Sequence, residues 1–283
     1  MAGIRNGVAC ALLTAVVSAA LPLVAGAATH ATACDTATFC DIEGGRYLIR
    51  MPGSWDGKND VGAIVYFHGW QGSAEGVMRN AGLTKMASDL GIALVAVDGL
   101  NKTWSYPSSP SQHRDELTFL DRLLADIDMR HAIDMDRLMA SGFSMGGSMA
   151  WYAACYRGKR FAGIAPVAGA FWEPLPDKCP SPAPYLFHVH GTTDTVVPIA
   201  GRPIGERWHQ GDLYESLERF REKDNFQTGP SFRPEGTRLT CERQVSPEGP
   251  LIEVCLHPGG HNMRPEWVAR AWRELSKARG WKG

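Results

Sequence analysis

The chain has 283 residues, 44% of them hydrophobic, which is enough to bury one sizeable core. Its 29 basic and 30 acidic residues leave a net charge of -1. With no basic run anywhere, that balance excludes charge-driven binding to nucleic acid or to an anionic membrane.

The chain opens with a leader. Arg5 supplies a positive start, 8–24 is an apolar stretch broken by Pro22, and Ala25-Gly26-Ala27 has the small-x-small pattern of a signal-peptidase site. Residues 1–27 are therefore expected to be a signal peptide, and 28–283 one domain that works outside the cell or in the periplasm. A retained membrane anchor is the alternative, but the apolar run is short for a span and no stop-transfer pattern follows it. Export changes the reading of the cysteines. Cys34, Cys40, Cys155, Cys179, Cys241 and Cys255 remain, an even number in an oxidising compartment, so disulfides are expected. Six cysteines permit fifteen pairings; proximity favours Cys34 with Cys40, Cys155 with Cys179, and Cys241 with Cys255. No C-x-x-C pair supports metal ligation, so no metal is expected.

Beyond the leader, short apolar runs alternate with amphipathic segments. Strands are expected at 46–51 and 62–67, the latter ending in the His68-Gly69 turn. A helix over 73–90 follows, with Ser73 as N-cap and Gly91 as its stop. After a strand at 92–97 comes a loop rich in Ser and Pro, 101–111. The segment 113–131 reads as a helix that places Leu117, Leu120, Leu123, Leu124 and Ile127 on one face. A strand at 138–142, a helix at 145–156, and strands at 161–167 and 185–189 come next. A polar surface helix over 206–223, a strand at 251–256 and a helix over 265–278 complete the chain. Strands apolar throughout and alternating with helices indicate an α/β fold: a mostly parallel sheet covered on both faces.

Gly142-Phe143-Ser144-Met145-Gly146 matches G-x-S-x-G, placed between a strand and a helix. A nucleophile on so sharp a turn needs small residues two before and two after it, so that strand and helix approach without clash. The helix N-terminus then favours developing negative charge beside Ser144. A serine needs a base to take its proton, and in this arrangement the chain order is serine, acid, histidine. Asp194 follows the 185–189 strand in His190-Gly-Thr-Thr-Asp194 and fits the acid. Asp177, in a Pro-rich loop, and Glu253, inside a strand, fit it less well. His261 follows the last strand through flexible glycines and fits the base. His257 competes, but it precedes Pro258 and suits an orienting or capping role. His68 and His190 are expected on the site floor as hydrogen-bonding residues, and His188 as a satisfied core histidine. The oxyanion needs two backbone N–H groups: Met145, after the nucleophile, and Trp70, in the turn after 62–67, with Gln71 behind it. Trp104 and Trp172, on loops at the carboxyl edge of the sheet, are candidates to stack on substrate, with ordinary packing as the alternative.

Taken together, His68-Gly69, Gly142 to Gly147, His190 to Asp194 with Val197-Pro198, and Gly259-Gly260-His261 resemble the secreted polyhydroxybutyrate depolymerase/feruloyl esterase group of the α/β-hydrolase superfamily. The resemblance runs from about Arg46 to His261. It implies Ser144 as nucleophile, Asp194 as acid and His261 as base, acting on polyester oligomers or on phenolic and acyl esters of plant polysaccharide. It implies no cofactor and a small or oligomeric ester as partner; oligomeric state stays open. The group often reads Gly-His-Thr-Trp-Pro where this chain has Gly260-His261-Asn262-Met263-Arg264-Pro265, so leaving-group contacts made by that tryptophan are missing. Two rivals follow from the same residues: a peptidase of the prolyl-oligopeptidase type, which shares the triad order, and a secreted binding protein that keeps the fold without catalysis.

Overall fold

The apolar runs expected as strands beyond the leader form strands, and the helices between them cover both faces of one sheet. The computed structural model describes residues 34–182, 185–221, 225–247 and 249–281, together with Met1 and Gly3. The signal-peptide reading of 1–27 therefore falls, apart from those two residues, outside the described residues. From Cys34 onward the described residues gather into one compact unit.

The elements in order are β1 (Cys40–Ile42), β2 (Gly45–Arg50), β3 (Val61–Phe67), α1 (Ala74–Arg79), α2 (Ala81–Asp89), β4 (Ala93–Val97), α3 (Glu116–Arg130) and β5 (Ile133–Phe143). Next come α4 (Met145–Arg157), β6 (Gly163–Val167), β7 (Trp172–Glu173), β8 (Tyr185–Gly191), β9 (Arg202–Ile204) and β10 (Trp208–Gln210). The last are α5 (Leu213–Arg221), β11 (Gln227–Thr228), β12 (Thr240–Val245), β13 (Leu251–His257) and α6 (Pro265–Arg279). Ten strands make the main sheet in the order β1-β2-β4-β3-β5-β6-β8-β13-β12-β11, and β7-β10-β9 form a small second sheet. From β4 to β13 the pairing is parallel, while β1 and β2 at one edge and β12 and β11 at the other are antiparallel.

The period of two decides which helix each strand residue meets. Ala63, Val65 and Phe67 face a core shared with Phe119 and Leu123 of α3, Met149 of α4 and Phe220 of α5. Ile64 and Tyr66 point the other way, toward Val77 of α1, Met86 of α2 and Trp272 of α6. Leu123, Leu124 and Ile127 are fully buried, each contributing about 2 kcal/mol by removal from water. The mostly parallel sheet covered on both faces, expected from the alternation, is what forms.

Several boundaries differ from the expectation, each for a local reason. The helix expected over 73–90 is two helices. Ser73 caps the first, and Asn80, in extended conformation, ends it and caps the second by accepting from Leu83 N at 3.1 Å. The helix expected from 113 begins only at Glu116, because Asp115 accepts from Leu117 N and Thr118 N at 3.0 and 3.1 Å. The polar segment 206–223 is not one helix. It holds β10, then a break at Gly211, then α5 opened by Asp212 accepting from Tyr214 N and Glu215 N. The strand expected at 138–142 extends back to Ile133, which pairs with Val61 across a register shift. All three cysteine pairs favoured by proximity form disulfides: Cys34 with Cys40, Cys155 with Cys179 and Cys241 with Cys255. The last joins residues directly opposite in β12 and β13 and closes a loop worth about 3 kcal/mol in the chain-entropy model.

Candidate active site

Ser144 lies between the end of β5 and the start of α4 with φ 58° and ψ -121°. A non-glycine residue in such a conformation costs about 1–3 kcal/mol, and the surroundings hold it there. Ser144 N donates to Val167 O at 3.0 Å, and Ser148 N donates to Ser144 O at 2.9 Å. Two glycines make the turn possible. A Cβ on Gly146 would sit 2.0 Å from Phe67 O, and one on Gly142 would sit 2.3 Å from Gly146 O. Only glycine therefore fits the positions two before and two after Ser144. The serine itself is 9% exposed, and its hydroxyl makes no hydrogen bond to a described residue.

The loops after β8 and β13 bring Asp194 and His261 together, with Asp194 Oδ2 2.7 Å from His261 Nδ1. The Asp194 side chain is fully buried. Its Oδ1 accepts from Val196 N and Val197 N, each at 2.9 Å, so the backbone fixes the carboxylate before the histidine arrives. A carboxylate accepts only, so the neutral imidazole carries its proton on Nδ1 and leaves Nε2 as a lone-pair base. The ring of His261 rests on Phe143, with centroids 4.6 Å apart, which sets it beside the residue preceding Ser144. Hydrogen bonds between nucleophile and base are often long without substrate and tighten when it binds.

His190 secures the acid's loop: its Nε2 donates to Val197 O at 2.7 Å. Its Nδ1 then accepts from His188 Nε2 at 3.0 Å. Burial pushes both imidazoles below their ordinary pKa, His188 well below, so both are neutral at pH 7. His190 thus has the floor role expected of it. His188 is in the core, as expected, but its Nδ1 has no partner among the described residues.

The turn after β3 lies against the nucleophile. A Cβ on Gly69 would be 3.6 Å from Ser144 Cβ. His68 Nε2 accepts from Gly99 N at 3.0 Å, which places its proton on Nδ1, where it donates to Gly69 O at 2.8 Å. Burial lowers the His68 pKa and keeps the ring neutral. Gln71 N donates to Lys102 O at 2.9 Å, so the reserve oxyanion donor is already engaged. The N–H groups of Trp70 and Met145 donate to no described residue.

Three aromatic expectations need revision or sharpening. Trp104 is not a stacking surface: it is fully buried, and its Nε1 donates to His68 O at 2.8 Å. Trp172 is 4% exposed, in β7, and its N–H donates to Tyr152 Oη at 3.0 Å. Both are corrected to packing residues, because the loops that carry them fold inward over α4. Trp70, by contrast, is 68% exposed on the turn beside Ser144. His257 neither orients nor caps with its ring; it lies on Trp267 at 4.6 Å. Glu253 is buried between Arg243 and Arg270, and Asp177 is exposed in its loop. The 99–104 segment, which the sequence did not single out, clamps the turn after β3 through Gly99 N, Lys102 O and the Trp104 indole. Its only signal is the run Asn101-Lys102, where two left-handed residues follow one another.

Two clusters bring metal-type donors together, Cys34, Cys40 and His131, and Cys241, Glu253 and Cys255. In both the sulfurs are bonded to each other, and a disulfide is not the thiolate a metal takes.

Known proteins share this arrangement of elements. A family model described as Phospholipase/Carboxylesterase matches residues 113–222. A putative esterase from Nocardia uniformis is 29% identical over 76% of this chain and 71% of its own. Feruloyl esterase D of Neurospora crassa is 25% identical over 77% of this chain and 73% of its own. A probable feruloyl esterase C of Aspergillus niger is 27% identical over 79% and 78%. Among solved structures, an acetyl xylan esterase from Aspergillus awamori superimposes with a TM-score of 0.56 at 11% identity. It covers 81% of this chain and 93% of that one.

Proposed function

We propose that the chain is a carboxylic ester hydrolase of the α/β-hydrolase superfamily, a secreted serine esterase working through an acyl-enzyme on Ser144, a reading that the family-model match and the relatives support. The observation that carries the reading is the 2.7 Å contact of Asp194 with His261, whose ring rests on Phe143, the residue before a serine held at φ 58°. His261 Nε2 takes the Ser144 proton as the hydroxyl oxygen attacks the ester carbonyl. The N–H groups of Met145 and Trp70 receive the oxyanion, each such donor lowering the barrier by about 3 kcal/mol. Collapse of the tetrahedral intermediate expels the alkoxide, which takes the proton from His261. Water then repeats the sequence on the acyl-serine and frees the acid. Asp194 holds the imidazole tautomer and stabilises its cation.

The substrates proposed are oligomers of hydroxyalkanoates or feruloyl and acyl esters of polysaccharide. The names of the relatives support the second class. The exposed Trp70 beside the nucleophile offers an aromatic surface for an acyl group of either kind. A leader at 1–27, a single catalytic domain over 28–283 and three disulfides belong to the same proposal, since the disulfides suit an oxidising compartment.

Ser144→Ala tests the assignment. It is expected to abolish both hydrolysis of p-nitrophenyl acetate and covalent labelling by a fluorophosphonate probe. Retained turnover in that variant removes Ser144 from the chemistry.

A further inference from the structure

Behind the acid lies a pair of histidines that take no part in the bond changes at Ser144. His188 and His190 stand two apart on β8, so the period of two puts both rings on one face of the sheet. Both are fully buried. His190 Nε2 lies 2.7 Å from Val197 O and 3.6 Å from Asp194 Oδ2. That is the same carboxylate oxygen that meets His261 Nδ1 at 2.7 Å. Two imidazoles thus face one oxygen, and a carboxylate stabilises whichever of them is a cation. In acyl transfer that cation must be His261, once it has taken the serine proton. A protonated His190 would draw on the same charge and weaken His261 as a base.

The hydrogen bonds work against a protonated His190. A carbonyl only accepts, so His190 Nε2 carries the proton, and a second proton can enter only at Nδ1. That atom is 3.0 Å from His188 Nε2 and accepts from it. To admit a proton there, His188 would have to give up its Nε2–H and carry the hydrogen on Nδ1 instead. His188 Nδ1 has no partner among the described residues. The ring beside it is Trp151, with centroids 5.6 Å apart, and an indole nitrogen donates but cannot accept. The hydrogen would be stranded as an unpaired buried donor, which is costly. The direction of the pair is therefore set from both ends. The ionisable groups acting on these two rings are Asp194 on the loop after β8, His257 at the end of β13 and His261 beyond it, with Arg264 acting on His257 in turn. From α4, α5 and β6 come Trp151, Phe220 and Val167, none of which ionises.

We propose that His188 and His190 are positioning residues for the catalytic acid: His188 locks His190 in its neutral, Nε2–H form, so that Asp194 keeps its charge for His261 alone. The inference rests on the serine-esterase reading and adds two residues to its machinery.

The test is the pH profile of kcat/KM for p-nitrophenyl acetate. In the wild-type chain the acid limb is expected to fall with a slope of one, from His261. His188→Phe keeps a ring in the site but frees His190 Nδ1. With that nitrogen titrating near an ordinary histidine value of about 6.5, the variant should lose about tenfold more activity than wild type by pH 5.5, its slope approaching two. Adding His190→Gln, which keeps an N–H but cannot ionise, should return the slope to one whatever the rate. A slope of one in His188→Phe, or a slope of two that persists in the double variant, overturns the proposal. NMR of the isotopically labelled histidines reads the same arrangement in the wild-type chain and needs no variant to fold. His190 is expected to stay a neutral Nε2–H ring from pH 8 to 5.5, and a His190 ring that takes up a proton in that range overturns the lock. Absence of ester turnover in the wild-type chain removes the esterase reading and this inference with it, whereas turnover with an unaltered slope in His188→Phe removes this inference alone.

Discussion

Trp104→Phe isolates the clamp on the oxyanion turn. Phenylalanine keeps an aromatic ring in the fully buried site but removes the Nε1–H that reaches His68 O at 2.8 Å. An unsatisfied buried carbonyl costs about 1–3 kcal/mol, and the lost ring volume adds about 1 kcal/mol or more. For a chain of this size that lowers Tm by about 4–16 °C. The consequence for catalysis is separate. With its carbonyl released, His68 no longer fixes the peptide that precedes Gly69 and Trp70, and the Trp70 N–H drifts from the oxyanion position. Complete loss of one donor is worth about 3 kcal/mol, or about a hundredfold or more in kcat. A relaxed turn should lose part of that, about tenfold, with KM nearly unchanged. The assay is p-nitrophenyl acetate hydrolysis at 20 °C, well below unfolding, alongside thermal melts. Trp151→Phe is the control: this indole is equally buried, but its Nε1 has no partner among the described residues. It is expected to lower Tm while sparing kcat. If Trp104→Phe loses stability with an unchanged kcat, the indole is a core residue and the clamp argument fails.

Asp194→Asn should cut kcat by about ten-thousandfold with KM within a few-fold. Its Oδ1 would keep the bonds from Val196 N and Val197 N, so the amide NH2 would face His261 Nδ1 and force the wrong tautomer; activity within tenfold of wild type contradicts this assignment of the acid. Stability should fall in mild acid, since burial lowers the pKa of His68, His188 and His190 below the unfolded value of about 6.5. The unfolded chain then binds more protons, so stability is full above about pH 6.5 and declines below it. Each ring contributes up to about 1.4 kcal/mol per pH unit until its folded pKa is reached. Urea midpoints at pH 7.5, 6.5 and 5.5 check this, and a constant midpoint refutes it.

The strands of the parallel core were legible because burial on both faces requires apolar residues throughout, as in Ala63 to Phe67. The edge strands were not. β12 reads Thr-Cys-Glu-Arg-Gln-Val, mostly polar and partly exposed, and its place depends on β13 and on Cys241. β10 was hidden inside a polar segment with helical spacing, where only Gly211 marks the break. At the site, what backbone geometry demands was readable: glycines at fixed offsets from Ser144, then an acid and a base in order on later loops. What tertiary contact supplies was not. Lys102 contributes only a carbonyl oxygen to the oxyanion turn, a group every residue has. Trp104 contributes an indole whose direction no spacing reveals, and so packing and a substrate platform both stayed open.

That division has a consequence for substrate choice. The elbow, the acid and the oxyanion turn are each held by backbone hydrogen bonds to fixed partners, Val167 O, Val196 N and Val197 N, and Lys102 O. Apart from the Trp104 indole on His68 O, these bonds run between backbone groups or to the Asp194 carboxylate, so most side-chain replacements around them leave them in place. His261 is held differently, by one carboxylate and the face of Phe143. His261 is thus held by fewer contacts than Asp194. Selectivity for the acyl group is expected to follow Trp70, 68% exposed on the turn beside Ser144: Trp70→Ala should change the ranking of aromatic against short aliphatic acyl esters by kcat/KM, and an unchanged ranking refutes this.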